Sequence, residues 1–364
     1  MLDRAAGHQQ VTRPRILVIH GPRSPARHWS EEAAAVIASF ADRVDLALDP
    51  AEPTADRERR VDAALAESDG LLLCGWGGLG IGYLTAERLA RAPRLRFVGA
   101  TCHYRHNEFV DVAAARARGI TLCETAPIMS PWVAEYELAL GLAALRQIPR
   151  EHGIVGAGGW VPNFESDPPW PDRLAGRRVG LASFGEIHRH LARFLAPFEV
   201  DWQTFDPFVN EETVRAAGGT RAADLVALAR RSEVFFVATP PNPTTIGIID
   251  RSVIEVLPEG AVFVLVSRMA VVQQEPLIAR LRQGTLRAAI DVYDPEPPEE
   301  HHPLRTLPNV IHTPHRAGNT RGAHTGVFRG QCEEARRFFA GEPLRYPLRS
   351  ELIDLFAPAV GARR

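Results

Sequence analysis

The sequence predicts an α/β protein made of two doubly wound domains, each built on a parallel sheet. Short apolar runs of strand length alternate with helix-periodic segments from Arg15 to Cys123, and this alternation is typical of a parallel sheet covered by helices. A second alternating series begins at Arg177, after the glycine- and proline-rich segment GAGGWVPNFESDPPWP. The chain of 364 residues leaves room for two domains of ~150 residues each.

The first series contains five predicted strands and four predicted helices. The strands are expected at residues 15–20, 44–48, 70–74, 95–99 and 120–123, and the helices at 31–40, 55–67, 85–91 and 107–118. A longer helical pattern at 132–148 is apolar on most sides, so we expect it to be buried between the domains.

The second series opens with a strand at 179–182, a helix at 186–197 and a strand at 199–205. Further strands are expected at 234–238, 261–266, 287–291 and 309–312, and a helix at 320–340 is expected to return to the first domain. The predicted domains are therefore residues 14–148 with 320–364, and residues 149–319.

The composition favours a globular, cytoplasmic protein. A net charge of −2 gives no reason to expect nucleic acid as a partner, and no apolar run approaches the ~20 residues of a membrane span. The four cysteines are scattered without a CxxC pair, which favours reduced thiols. The sequence contains no lysine, which excludes Walker-type nucleotide binding and Schiff-base chemistry in their usual forms. His301 and His302 have no third ligand at zinc spacing, and no metal site is predicted.

The stretch from Arg177 to Pro207 is predicted to bind a dinucleotide. A tight turn after its first strand would let the backbone approach a pyrophosphate, and the following helix would offer free N–H groups to it. About twenty residues on, Asp206 would accept the ribose hydroxyls. His188 and His190, on the first turns of the helix, are expected at the surface. The residues assigned to the cofactor in this stretch are Gly180, Ala182, Gly185, Glu186, Ile187, Asp206 and Pro207.

A rival glycine pattern, at Gly75, Gly77 and Gly80, follows the strand that ends at Cys74. No acidic residue closes the strand after it, so the stretch from Arg177 is preferred, although alanine occupies its middle glycine position. NAD is preferred to NADP, because the carboxylate at the end of the second strand would repel a 2′-phosphate and no arginine follows in DPFVNEE.

Three side chains suited to hydride-transfer chemistry follow predicted strands of the second series. Arg268 lies in VLVSRMA, Glu296 in DVYDPEPP and His315 in IHTPHRAGNT. Ligands of open parallel sheets bind beyond the carboxyl ends of the strands. An arginine can hold a carboxylate in a bidentate fork, and a histidine held by a glutamate can serve as acid or base near neutral pH. Beside a nicotinamide, these residue types would make a site for a 2-hydroxy or 2-oxo acid.

In these segments the sequence resembles the D-isomer-specific 2-hydroxyacid dehydrogenases, including the phosphoglycerate and glyoxylate/hydroxypyruvate reductase types. The resemblance is good from Arg177 to about Pro343 and moderate over residues 125–145. The segments that carry it are, in order, GLASFG at Gly180, FDP at Phe205, TPPNPTTIGII at Thr239, SRMA at Ser267, DVYDPEP at Asp291 and NVIHTPHRAG at Asn309.

The resemblance implies a Rossmann NAD-binding domain, a flavodoxin-like substrate domain, a cleft between them, and a homodimer. It implies that Arg268 binds the substrate carboxylate, that His315 is the acid/base, and that Glu296 orients and tunes it. Asp291 would contact the nicotinamide carboxamide. Further contacts are implied for the cofactor at Thr239, Pro240, Thr245 and Ser267, and for the substrate at Trp76, Gly77 and Gly78.

Several positions depart from the family pattern. Leu265 and Met269 stand where asparagine and glycine are usual, and Ala238 replaces a strand-end histidine. Met129 replaces a common asparagine, and Arg316 follows the catalytic histidine where an apolar residue is usual. These changes predict an altered substrate pocket and a shifted binding position for the nicotinamide ring.

The segment ATCHYRHNEF from Ala100 replaces the family's GxGxDN loop and is longer. Its residues Tyr104, Arg105 and His106 indicate either an unusual, anionic substrate or an exposed polar loop without a special role. The sequence leaves these alternatives open.

We therefore predict an NAD-dependent 2-hydroxyacid dehydrogenase or 2-oxoacid reductase. The alternative is a protein of the same fold that senses NAD or binds a partner with little turnover. The replacements at Ala238, Leu265 and Met269 favour this alternative, whereas the joint presence of His315 and Glu296 disfavours it. A third possibility is the oxidation of another small oxyanion such as phosphite.

Overall fold

The computed structural model describes residues 13–161, 170–349 and 351–353. The chain divides into two compact units, residues 13–128 with 321–353 and residues 129–161 with 170–320. Each unit contains one sheet, and the strands inside both sheets pair in parallel, as the alternation of strands and helices predicts. Within the described part of the chain, no helix is both long enough and apolar enough to span a membrane.

The first unit is a five-stranded sheet with helices on both faces. The elements are β1 (Arg15–His20), α1 (Ser24–His28), α2 (Glu31–Phe40), β2 (Asp42–Ala47), α3 (Thr54–Ala66), β3 (Gly70–Leu73), α4 (Ala86–Ala90), β4 (Phe97–Ala100), α5 (Val112–Ala117) and β5 (Thr121–Glu124). The strand order, β2-β1-β3-β4-β5, is the flavodoxin-like order.

The second unit is a seven-stranded sheet. Its elements are α6 (Ser130–Leu145), α7 (Ile148–Gly156), β6 (Arg178–Ala182), α8 (Glu186–Leu195), β7 (Asp201–Phe205), α9 (Glu211–Ala216), β8 (Thr220–Arg221), α10 (Leu225–Arg231), β9 (Val234–Val237), α11 (Arg251–Glu255), β10 (Ala261–Leu265), α12 (Gln274–Arg282), β11 (Leu286–Ile290) and β12 (Val310–His312). The order β8-β7-β6-β9-β10-β11-β12 is that of a Rossmann sheet with an added strand. Strands β6 to β8 are added toward one edge of the sheet and strands β9 to β12 toward the other, so the strand order switches between β6 and β9.

The last long helix, α13 (Arg321–Phe339), belongs to the first unit, as predicted. Its apolar face packs on one side of the first sheet, where Phe328, Cys332 and Ala335 join a buried cluster with β1 and β4. Short 3-10 turns occur at His106–Glu108, Ala126–Met129, Ala196–Phe198, Met269–Val271 and Pro303–Thr306.

The apolar helix α6 belongs to the second unit, so the boundary between the units lies before this helix and not after it. Gly141 lets the helix approach the second sheet, because a Cβ there would overlap the ring of Phe236. Arg287, on β11, donates to the carbonyl oxygens of Ala144 and Leu145 at 3.4 and 3.0 Å. These two carbonyl oxygens at the C-terminus of α6 also accept from the backbone N–H groups of Gln147 and Asp172, so Arg287 adds to bonds that the backbone already makes.

Candidate active site

Arg268, Glu296 and His315 lie beyond the carboxyl ends of three neighbouring strands, β10, β11 and β12. The structure brings all three together. His315 Nδ1 lies 2.7 Å from Glu296 Oε2, and His315 Nε2 lies 3.4 Å from Arg268 Nη1. One imidazole nitrogen is therefore held by a carboxylate, and the other faces a guanidinium.

Asp291, at the end of β11, fixes the loop that carries His315. The backbone N–H of His315 donates to the Asp291 carbonyl oxygen at 2.7 Å, and the histidine has a left-handed φ of 52°. Asp291 Oδ1 accepts from the Thr313 hydroxyl at 2.5 Å and from Arg316 N–H at 2.8 Å, and Oδ2 accepts from Ala317 N–H at 2.9 Å. The buried carboxylate thus holds the histidine loop in place, and its predicted contact with a nicotinamide carboxamide stays a prediction.

Glu296 is held in its ionised form. Burial alone would raise the pKa of this carboxyl group, but hydrogen bonds from His315 and from the N–H of Tyr293, together with the charge of Arg268, hold its pKa below the ordinary value. An ionised Glu296 accepts the Nδ1 proton of His315 and so leaves Nε2 as the reactive nitrogen. The side chains of His315 and Glu296 are 39% and 36% exposed and line a cavity of about 510 Å³, so both remain accessible.

The turn between β6 and α8 has the geometry of a pyrophosphate site. Ser183 has a φ of 84°, which makes the tight turn, and Gly185 is the residue before α8. No side chain caps the helix at Gly185, and a Cβ built there would meet nothing within 4 Å. Uncapped N–H groups beside open space fit an anionic group at the start of the helix. Glu186 and Ile187 form the first turn of that helix, as predicted.

Two of the predicted fingerprint positions are wrong. Gly180 lies inside β6, where a Cβ would overlap Ser232 and Phe235, so this glycine serves packing and does not form the turn. Ala182 is the last residue of β6 and is completely buried. The turn positions are instead taken by Ser183 and Gly185.

His188 occupies the position where a third glycine would allow close packing of helix and strand. It is completely buried, which contradicts its expected surface location. Its Nδ1 lies 2.7 Å from the Ser183 carbonyl oxygen, and its Nε2 lies 3.3 Å from Glu137 Oε1. The other oxygen of Glu137 is buried without a hydrogen-bond partner among the described residues. His188 thus links the turn to α6.

Comparison with known proteins identifies the family. The family model named D-isomer specific 2-hydroxyacid dehydrogenase, NAD binding domain, matches residues 138–317. The Bacillus subtilis protein YoaD, which is named as a 2-hydroxyacid dehydrogenase, is 32% identical over 241 residues, 65% of this chain and 68% of YoaD. The chain belongs to the D-isomer specific 2-hydroxyacid dehydrogenase family. Because the matched region is the NAD binding domain of this family, NAD is the cofactor.

Two further similarities concern phosphoglycerate enzymes. A D-3-phosphoglycerate dehydrogenase of Archaeoglobus fulgidus is 31% identical over 261 residues, which make up 71% of this chain and 48% of that protein. The chain thus spans about half the length of this relative. The crystal structure of a phosphoglycerate oxidoreductase from Rhizobium etli is 26% identical, with a TM-score of 0.77, and the match covers 92% of this chain and 98% of that one.

Asp206, the residue that the family resemblance assigns to the ribose, is 9% exposed at the end of β7. Its two oxygens accept from the backbone N–H groups of Phe184 and Phe208 at 2.8 and 2.9 Å, so it also supports the pyrophosphate turn. Its carbonyl oxygen lies 3.3 Å from Arg221 Nη2. The segment directly after Asp206 contains no arginine, and Arg221 reaches this position only because β8 pairs with β7.

The remaining cofactor residues follow strands β9 and β10, with Pro207 exposed after β7. The Thr239 hydroxyl donates to the Ala182 carbonyl oxygen at 3.0 Å, and the Thr245 hydroxyl donates to the Pro240 carbonyl oxygen at 2.6 Å. Ser267 differs from them, because its hydroxyl is buried without a partner in the described part of the chain. An orphaned hydroxyl beside Arg268 suits a polar group of a bound ligand.

The predicted substrate residues Trp76, Gly77 and Gly78 lie in the first unit, in the loop after β3. Gly77 has a φ of 65°, and its N–H donates to the Thr101 carbonyl oxygen at 2.9 Å. The Trp76 ring lies 4.7 Å from that of His103. The segment after β4 therefore supports this loop directly.

The replacements at Leu265 and Met269 lie in the interior of the second unit. Their exposed fractions are 0% and 1%, and both side chains belong to its buried apolar cluster. They therefore change the packing beneath Arg268. Ala238, just after β9, is 9% exposed.

Proposed function

We propose that the protein is an NAD(H)-dependent oxidoreductase that transfers a hydride between nicotinamide and C2 of a small 2-hydroxy or 2-oxo acid. The observation that carries this proposal is the row of Glu296, His315 and Arg268, with contacts of 2.7 and 3.4 Å. The names of the relatives, a phosphoglycerate dehydrogenase and a 2-hydroxyacid dehydrogenase, favour the same class of substrate.

His315 acts as the acid/base through Nε2. With Nδ1–H held by the Glu296 carboxylate, Nε2 donates a proton to the carbonyl oxygen during reduction and accepts the hydroxyl proton during oxidation. Glu296 stabilises the protonated imidazole and fixes its orientation. When bound, the nicotinamide supplies the hydride donor or acceptor.

Arg268 binds the substrate carboxylate. Its Nη1 donates to the Ser267 carbonyl oxygen at 2.6 Å and lies beside His315 Nε2, so the guanidinium is held next to the reactive nitrogen. A carboxylate bound there places C2 of a 2-oxo acid next to that nitrogen, because C2 is bonded to the carboxylate carbon. The guanidinium also stabilises negative charge that develops on the substrate oxygen.

We assign cofactor binding to residues 129–320 and a substrate contribution to the first unit. In the loop after β3, the N–H of Gly77 already donates to Thr101, so we assign the carboxylate contacts to the N–H groups of Trp76 and Gly78. This assignment follows the family resemblance of that loop.

The first experiment is to follow NADH absorbance with purified protein and a panel of 2-oxo acids. We expect the wild type to oxidise NADH with at least one acid, and His315→Ala to lose about 10²- to 10⁴-fold in kcat. His301→Ala is the matched control, because His301 is exposed and outside the site, and its activity should be unchanged. Tight NADH binding without oxidation by any acid would favour the NAD-sensing alternative and refute the proposal.

Glu296→Gln tests the role of the carboxylate through the pH dependence. Removal of the negative charge beside Nδ1 disfavours the protonated imidazole, so reduction should decline at lower pH than in the wild type. In the wild type, the depressed pKa of Glu296 keeps this carboxylate charged into the acidic range. The measurement is kcat against pH in the reduction direction; an unshifted alkaline limb in the variant would argue against this role.

A further inference from the structure

Cys102, His106 and Glu124 form a buried cluster in the first unit, where Cys102 and His106 follow β4 and Glu124 is the last residue of β5. Their exposed fractions are 1%, 0% and 1%. Cys102 Sγ lies 3.2 Å from His106 Nδ1 and 3.3 Å from Glu124 Oε2, and the last two atoms are 4.0 Å apart. Three different ligand types thus converge on one point inside the protein.

We propose that Cys102, His106 and Glu124 bind a divalent transition-metal ion of the zinc type. In the plane of the three atoms, the point equidistant from them lies about 2 Å from each, close to the 2.0–2.3 Å bonds that zinc makes to nitrogen, oxygen and sulfur. Mixed thiolate, imidazole and carboxylate donors are typical ligands of this ion. The proposal is independent of the proposed oxidoreductase activity.

The groups around the cluster orient its donor atoms. His106 Nε2 lies 3.2 Å from the Cys123 carbonyl oxygen, so a proton on Nε2 leaves the Nδ1 lone pair directed at the cluster. Metal-binding histidines commonly donate their second N–H in this way. The Glu124 carboxylate is fixed by the backbone N–H groups of Cys102, Tyr104 and Ala126, at 3.2, 2.7 and 2.7 Å.

The charges also favour a cation. In the part of the chain that the structure describes, no arginine forms an ion pair with Glu124, whose Oε2 lies 4.0 Å from Nδ1 of the His106 imidazole. A buried carboxylate without a positive partner is costly, and buried charges are generally paired or bound to metals. A divalent ion would balance one thiolate and one carboxylate while the imidazole stays neutral.

The site would hold the segment that replaces the family's GxGxDN loop. In this segment His103 and Tyr104 have left-handed φ values of 51° and 62°, which are uncommon for residues other than glycine. The same segment supports the loop of Trp76 and Gly77. A metal ion joining the ends of β4 and β5 would fix this backbone. It would give the replaced loop a structural role, and the expectation of an exposed polar loop is wrong for His106, which is fully buried.

The first test is the metal content of untagged protein after equilibration with zinc and removal of unbound ions, measured by mass spectrometry. We expect one zinc per chain in the wild type and a loss of at least tenfold in Cys102→Ser. Cys332→Ser is the matched control, because Cys332 is also a buried free cysteine of the first unit but lies outside the cluster, and it should retain the metal.

The second test is the absorption spectrum of the wild type with cobalt in place of zinc. A thiolate-to-cobalt charge-transfer band is expected, and it should persist in Cys332→Ser and disappear in Cys102→Ser. This wild-type spectrum decides the question even if the Cys102 variant fails to fold. Zinc-free wild type after equilibration, a cobalt spectrum without a thiolate band, or a band that survives in Cys102→Ser would each overturn the proposal.

Discussion

Two loops of this protein come directly after buried strands, and the one with more glycines is not the one shaped for a pyrophosphate. The loop after β3 contains the spacing Gly75, Gly77 and Gly80. The loop after β6 contains Gly185, with Ser183 and His188 at the other two positions. Judged by glycine spacing alone, the loop after β3 would be the better candidate for a pyrophosphate site.

The two loops differ in their distance from the next helix and in the contacts of their glycines. In the first, a Cβ on Gly75 would overlap Leu79 and one on Gly78 would overlap Phe109, so these glycines allow the loop to pack against the protein itself. The next helix begins only at Ala86. In the second, the helix begins directly after Gly185, whose missing side chain faces open space. We therefore propose that the helix N-terminus, and not the number of glycines, marks the anion site.

The largest effect on cofactor binding is expected from Gly185→Val. The added side chain would enter the space at the start of α8 without touching the protein, so the fold should be retained while the pyrophosphate is excluded. We expect NADH to bind about 100-fold more weakly, ~2.7 kcal/mol, as measured by fluorescence titration. Gly77→Ala is the matched change in the first loop and should leave the NADH affinity unchanged; the opposite result would reverse our assignment of the two loops.

A second test addresses His188 at the third position. His188→Ala removes the described partner of the buried Glu137 carboxylate, so we expect a loss of about 2–4 kcal/mol in the free energy of unfolding. Because the cost arises from the unpaired carboxylate, the double variant His188→Leu/Glu137→Leu should lose less than the sum of the two single variants. Denaturant unfolding of the wild type, His188→Leu, Glu137→Leu and the double variant measures this; strictly additive losses would mean that the pair does not interact.

The sequence is sufficient to predict the two sheets and the grouping of the three residues that we propose as catalytic. A buried strand can be predicted from an apolar run of the right length without knowledge of the local backbone conformation. The predicted bounds of β1 agree with the structure to the residue. Arg268, Glu296 and His315 can be placed together because each comes after a strand of one parallel sheet, and carboxyl ends of parallel strands share an edge. The two-residue strand β8 escapes prediction, since so short an element has no periodicity to detect.

The positions where prediction fails depend on backbone conformation or on contacts between distant segments. Ser183 adopts a glycine-like φ, which its residue type does not indicate, so the predicted fingerprint starts three residues too early, at Gly180. The burial of His188 depends on Glu137, far away in the sequence. The grouping of Cys102 and His106 with Glu124, on which the proposed metal site rests, also depends on distant segments, because Glu124 completes the cluster only through the pairing of β4 with β5.

A smaller effect is expected from Asp206→Asn, which removes the charge at the end of β7. NADH should bind about tenfold more weakly because the ribose loses a charged acceptor, ~1.4 kcal/mol. The preference for NADH over NADPH should narrow as well, because Arg221 lies 3.3 Å from the Asp206 carbonyl oxygen and no carboxylate would then oppose a 2′-phosphate. Titrations with both cofactors measure the ratio, and an unchanged ratio would show that Asp206 does not set this preference.

The smallest effect is expected from Ser183→Gly, which makes the second loop more like the first. A non-glycine residue in a left-handed conformation costs ~1–2 kcal/mol, and glycine loses ~0.5–1 kcal/mol more backbone entropy on folding than alanine. With a φ of 84° at Ser183, the net gain in the free energy of unfolding should lie between about 0 and 1.5 kcal/mol.

NADH affinity should change little in Ser183→Gly, since the carbonyl oxygen that accepts from His188 and Thr204 belongs to the backbone and is kept. Ser183→Ala is the control, because it removes the hydroxyl but retains the Cβ, and it should give no gain in urea unfolding. The contrary result would be an equal loss in the free energy of unfolding for Ser183→Gly and Ser183→Ala. In that case the hydroxyl of Ser183, and not the strain at its backbone, would explain why serine suits this turn.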